Sequence, residues 1–131
     1  MISHVIIDKN DPTVGYVRVQ YTCQPGPDAP HLWVSVKQTA DRTADPGLLE
    51  EGSGFGGVAA AWSQSHPSDI NCDGKNHVQV FAVYQDEELY PGGPTVGYGS
   101  LARGDGYVQF CLFTGEAEPT FVFDMAFRSV K

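Results

Sequence analysis

A hydrophobic alternation of period two, repeated in short runs between glycine- and proline-bearing turns, limits what this chain can fold into. From Gly15 to Cys23 it puts Val17, Val19, Tyr21 and Cys23 on one face, and Tyr16, Arg18, Gln20 and Thr22 on the other. From His31 to Gln38 the inward set is Leu32, Val34 and Val36. Val78 to Tyr84 reads as a further strand, and Pro119 opens the last one. There Phe121, Phe123, Met125 and Phe127 share one face, and Val122, Asp124, Ala126 and Arg128 the other. Short runs of this period specify an all-β chain.

The length, 131 residues, allows one domain with a real core but not two. Fifteen glycines and nine prolines fit many turns between short strands. The formal net charge is -8, so phosphate backbones and anionic lipid surfaces are repelled and nucleic acid is excluded as a partner. No run approaches the roughly 20 apolar residues that span a bilayer, so membrane insertion is not expected. The opening MISHVIIDKNDPT has neither the basic region nor the apolar core of a signal peptide, and reads as the start of the mature domain.

Between the clear strands the pattern is weaker. Ile2 to Asp8 alternates poorly and reads as an edge strand, with residues 1–12 forming that strand or an extended arm. QPGPDAP, from Gln24 to Pro30, cannot continue a strand because its prolines remove ladder donors. Thr39 to Gly57 is a long irregular loop with one helical turn expected near Leu48 to Glu51. Periodicity leaves Val58 to Ser63 undecided between strand and short helix. Val96 to Ala102 and Gly106 to Thr114 read as a hairpin turning at Arg103-Gly104-Asp105-Gly106. The expected architecture is a single domain over residues 1–131, an antiparallel Ig-like β-sandwich of seven to nine strands.

Three cysteines allow one pair and one leftover. Cys23 and Cys72 are the preferred pair, because both sit at strand ends beside turn residues, where a bridge would tie two sheets. The enclosed loop of about 50 residues would contribute up to roughly 4 kcal/mol in the chain-entropy account. The alternative leaves all three reduced. Cys111 is out of phase with Val108, Phe110 and Leu112 and reads as a thiol packed as a small hydrophobe.

The motifs that suggest chemistry lack the context it requires. Asp69-Ile-Asn71-Cys-Asp73-Gly74 opens like a calcium loop, but the position that should hold a bidentate acid is Val80. An Asx-rich turn explains the run. Gly52 to Gly57 matches a dinucleotide fingerprint without the preceding strand or following helix. Arg103-Gly104-Asp105 sits where a hairpin tip is expected, and a turn accounts for it. His4, His31, His66 and His77 have no metal-ligand spacing. Ser53 is not in a nucleophile elbow, and the acids Glu50-Glu51 and Asp86-Glu87-Glu88 read as solvated surface. No catalytic residue, cofactor or metal is therefore expected. Trp33 is out of phase with Leu32, Val34 and Val36, on a surface shared with Ser35 and Lys37. It is either a contact residue, with Tyr90, for a protein or a sugar ring, or part of a second buried face.

The order YTC (Tyr21 to Cys23), VSV (Val34 to Val36) and NCDGKNH (Asn71 to His77) resembles small exported Ig-like domains of actinobacteria, mostly of unassigned function. Those domains carry a YxC strand and a later CDGxxH element, and similar domains are encoded by phages of the same hosts. The resemblance spans roughly Val14 to Leu112. It implies a disulfide from Cys23 to Cys72 and no catalytic residues. The chain departs from it in Cys111 and in the missing leader, which favours the phage reading. Two functions compete on these grounds. One is a structural or interaction module on a larger assembly, such as a capsid or tail accessory protein of a virion, partnered by other proteins and compatible with homo-oligomers. The other is a secreted module that binds a surface or glycan, with Trp33 or Trp62 and Tyr90 as an aromatic platform.

Overall fold

The structure, a computed structural model, describes residues 1–26, 29–50, 58–85, 92, 97–114 and 121–131. Among these it forms seven strands: β1 (Ile2–Ile7), β2 (Gly15–Thr22), β3 (His31–Thr39), β4 (Ala59–Ser65), β5 (Asn76–Val83), β6 (Gly104–Phe113) and β7 (Phe121–Val130). The all-β expectation holds. Hydrogen bonding runs through all seven in the order β4-β3-β6-β7-β1-β2-β5, so the strands make one curled sheet rather than two separate ones. The pairing is mixed, because β1 meets β7 in parallel at Val5↔Val130 while the other strand pairs are antiparallel.

The curl brings the two ends of the sheet together. Gln64 of β4 and Tyr84, just past β5, exchange backbone hydrogen bonds of 3.0 and 3.1 Å. Between the facing halves, Tyr21 and Phe81 pack on Phe110, with ring centroids 5.8 and 5.9 Å away. Val17, Val19, Leu32, Val34, Val36, Val83, Val108 and Leu112 pack in the same core. The alternation of β2, β3 and β6 thus puts the expected inward residues inside, each worth roughly 1.5–3 kcal/mol when fully buried.

β1 is neither an arm nor an edge strand; it lies between β7 and β2. Its pairing with β2 shifts by one residue between Ile2 and His4, a bulge at Ser3 that resets the side-chain phase. Ile2 and Val5, three residues apart, therefore both point into the core. β7 holds the strand from its other side. Lys131 N donates to the Val5 carbonyl at 2.9 Å, and Ile7 N to the Lys131 carbonyl at 2.8 Å. Toward the start of β1, side chains replace the ladder: Ile2 N donates to Asp124 Oδ2 at 2.6 Å, and Arg128 Nε donates to the Ile2 carbonyl at 2.8 Å.

One open reading is decided, one expectation holds and one is overturned. Val58 to Ser63 falls largely in a strand, β4, and the helical turn is a short 3-10 helix at Pro46–Glu50 with Leu48 fully buried. The hairpin before β6 is absent among the described residues. Asp105 already pairs with Ser129 of β7, and its N–H donates to the Arg42 carbonyl, so Arg103-Gly104-Asp105 opens a strand and is not a hairpin tip. Gly104 has φ +145°, and a Cβ there would lie 2.5 Å from the Arg42 carbonyl oxygen, which is why a glycine stands at this approach.

Cys23 and Cys72 are bridged, with their Cα atoms 4.5 Å apart. β2 and β5 are neighbours, so the bridge fastens the loop before β5 to the end of β2 and does not join opposite halves. Gly74 N, donating to the Cys23 carbonyl at 2.9 Å, locks the same corner. Bridges of this kind persist in oxidising environments. No helix among the described residues is long and apolar enough to cross a membrane.

Deleting Met1 to Ile7 should abolish cooperative unfolding, because it removes the strand that joins the two halves. Retention of a sharp urea transition by the truncated chain would refute this role. Replacing Cys23 and Cys72 together by alanine should cost about 2–4 kcal/mol, read from urea midpoints.

Candidate interaction surface

Pairing register, more than sequence proximity, assembles the outer face of β3, β6 and β7. It runs in rows: His31, Phe113 and Phe121; then Trp33, Cys111 and Phe123; then Ser35, Gln109 and Met125; then Lys37, Tyr107 and Phe127. β4 adds Gln64 and Trp62 to the last two rows. Alternation fixes this set, since the residues between them point into the core.

The two ends of the face differ. At one end it is closed: Lys37 is fully buried, and Trp62 and Tyr107 are nearly so. The Lys37 ammonium lies 5.9 Å from the Trp33 ring centroid and 5.6 Å from that of Trp62. The ring faces attract the cation while the aliphatic stem packs between the strands. Trp33 Nε1 donates to Gln64 Oε1 at 2.8 Å, and Trp62 meets Tyr98 edge-on at 6.2 Å.

At the other end the face is open. Phe121, Phe123 and Met125 are 55%, 56% and 44% exposed along one strand. Their rings and sulfur form a continuous ridge. Phe121 lies 5.0 Å from Phe113 and 5.3 Å from Phe123, and Gln109 Nε2 reaches Met125 Sδ at 3.8 Å. His31 stacks on Phe113 with a centroid distance of 6.5 Å. Beside the ridge lie the shorter or flatter side chains of β6, Cys111 and Gln109, both partly buried. Burial pushes the Cys111 thiol up from its ordinary pKa, and burial does the same to the Tyr107 phenol. Cys111 is unbridged, and its burial disfavours the thiolate form.

The contact residues expected from sequence fare unequally. Trp33 belongs to this face, but it is half-buried, with its indole N–H committed to Gln64. Tyr90 lies outside the described residues, as do Ser53 and the Gly52 to Gly57 run. The ridge itself was visible in the sequence as one phase of the last strand, but nothing there said which phase faces water.

The remaining motifs resolve into local structure. Asp73 Oδ1 accepts from Lys75 N at 2.9 Å and pairs with His77 Nε2 at 2.7 Å. The His77 contact, then the Lys75 amide, holds the Asp73 carboxyl below the usual aspartate range. Asp69 instead takes the Gln79 side-chain amide, so the Asx residues serve the turn next to the disulfide. No protein-family model, curated protein or solved structure matches this chain.

Lys37→Ala should lower stability by about 2–4 kcal/mol, combining a desolvated cation–π contact with a core-sized cavity. Its tryptophan emission should shift to the red. An unchanged urea midpoint would show that the two indoles gain nothing from the ammonium.

Proposed function

We propose that this chain is a non-enzymatic structural or interaction module, of Ig-like sandwich type, that packs its β6–β7 face onto another protein. The reading is carried by the ridge of Phe121, Phe123 and Met125, three large apolar side chains exposed side by side on one strand. About half of each, roughly 300 Å² in all, is open to water, worth about 7 kcal/mol on burial before the cost of association. A patch of roughly 300 Å² matches the largest apolar patch of a typical monomer, and such patches are often functional.

The Ig-like assignment is supported by strand order. β1 links a β5-β2 half to a β4-β3-β6-β7 half, and the two halves enclose one core. The interaction reading is supported by the Cys23–Cys72 bridge, which suits a chain that works in oxidising surroundings. The assembly that the sequence resemblance points to is a virion. A glycan-binding module draws less support, because Trp33 is half-buried and Trp62 is almost wholly so, leaving neither indole as a flat open platform.

The test is gradient fractionation of the untagged protein from its native source, with mass spectrometry of what travels with it. Co-sedimentation with a multi-copy particle, lost in a Phe123→Asp chain that keeps its circular dichroism spectrum, is the expected result. Recovery only as a free small protein in culture supernatant would overturn the assembly reading, and glycan screens would follow.

A further inference from the structure

We propose that the open edge of β5 takes an extended, cationic segment of another protein as an added strand. The site is separate from the β6–β7 face and does not depend on it. β5 ends the strand order, and only one of its sides is paired along its length, with β2. Two sets of bonds fix which of its residues look outward. Gln20 N donates to the Met1 carbonyl, so the even-numbered residues of β2 turn their backbone groups toward β1. The odd-numbered ones therefore bond β5, through His77, Gln79 and Phe81. Tyr84 agrees from the other side, since it exchanges both of its backbone bonds with Gln64 of β4. By alternation the N–H and C=O groups of Val78 and Val80 point away from the sheet, and no described residue bonds them.

The edge stays open because the chain leaving β4 cannot follow it. The Ser65 hydroxyl still reaches the Ala82 carbonyl at 2.5 Å, but Pro67, two residues on, has no N–H to continue a ladder. What remains is a groove of about 300 Å³, walled by Val80 and Ala82 on one side and by Ser65, Pro67 and Asp69 on the other. Sheet edges are usually shielded by lysine, proline, a bulge or an inward charge. Asn76–Val83 contains no lysine, arginine, proline or acid, and its register with β2 is unbroken over eight pairs. Val78 and Val80 are instead 52% and 54% exposed. Unpaired backbone groups beside apolar side chains select an extended peptide, with apolar residues at alternate positions. Charge selects its sign. The chain carries -8 and Asp69 is exposed on the facing wall, so lysine or arginine in the segment is attracted. A second copy fits neither condition. It is equally acidic, and its β5 is bonded to β2, which would have to enter where Pro67 and Asp69 stand.

The experiment is residue-resolved amide hydrogen exchange of the full chain by NMR, with and without the capped probe peptide KTVTVTK. In the chain alone, Val78 and Val80 should exchange fast and Gln79 and Phe81 slowly, as their bonding directions require. Peptide at millimolar concentration should slow Val78 and Val80 by roughly tenfold or more. The same peptide N-methylated at both valines keeps its side chains and charge but loses its donors, and should leave them fast. Replacing its lysines by glutamate should weaken binding about fivefold. Val80→Pro removes one outward donor without touching the β2 ladder and should weaken binding roughly tenfold; Val78→Lys is the second variant should the first fail to fold. Val78 and Val80 amides that no peptide protects overturn the inference, and so does equal protection by the N-methylated peptide. Protection that rises with the concentration of the chain alone assigns the edge to a second copy and overturns the partner segment. A glutamate peptide that binds as well as the lysine one overturns its cationic character.

Discussion

The position of β1 is the constraint on which the rest of the structure depends. One short strand pairs with β2 along most of its length and touches β7 at Val5↔Val130. Without that switch the β5-β2 and β4-β3-β6-β7 halves have no backbone link on this side. With it, the sheet curls until Gln64 and Tyr84 meet at its far ends. The core that results is closed by backbone hydrogen bonds on both flanks, and every inward residue of β2, β3 and β6 gains its burial from that closure. The disulfide reinforces one corner of the curl but does not create it, since it joins a strand to the loop leading into its neighbour.

Curling the sheet leaves its outer side to be managed residue by residue, and the four-strand half does so in two ways. Lys37 would be a costly charge if it were buried without compensation, and it lies between two indoles. That end of the face belongs to stability. Toward Phe121 the same strands present aromatic rings to water with no described residue laid over them. The difference lies in side-chain chemistry on a common scaffold, which explains how one sheet face can hold both a structural anchor and an exposed apolar ridge.

Much of the fold could be read from the sequence, and the failures have physical causes. In β2 and β3 the apolar residues Val17, Val19 and Tyr21, and Leu32, Val34 and Val36, recur at every second position, so these strands and their inward residues were evident. β1 looked weak because the bulge at Ser3 gives it an interval of three between buried residues, which a period-two reading scores as noise. The false hairpin came from Asp105-Gly106, a good turn signal overridden by the Arg42 carbonyl, which takes the Asp105 N–H and starts the strand early. For β7 the two phases were clear, but hydrophobicity favours the phenylalanines as the buried set. Tertiary contacts decide otherwise: Asp124 and Arg128 are required on the inner phase to hold the Ile2 backbone, and that turns Phe121, Phe123 and Met125 outward. The candidate surface is thus a consequence of where β1 sits, and no local signal in the last strand could have announced it.

The location of the exposed apolar area on a face, away from an edge, sets the kind of association it can support. Open strand edges template further strands and can propagate without limit. Here the β4 edge is occupied by Tyr98 at Trp62 and by Tyr84 at Gln64. The Ala82 carbonyl at the end of β5 accepts the Ser65 hydroxyl at 2.5 Å, and the β7 flank nearest β1 is bonded to Ile2 through side chains. A face, unlike an edge, is used up once covered. The ridge can therefore be strongly apolar without offering the unpaired backbone that drives open-ended strand addition.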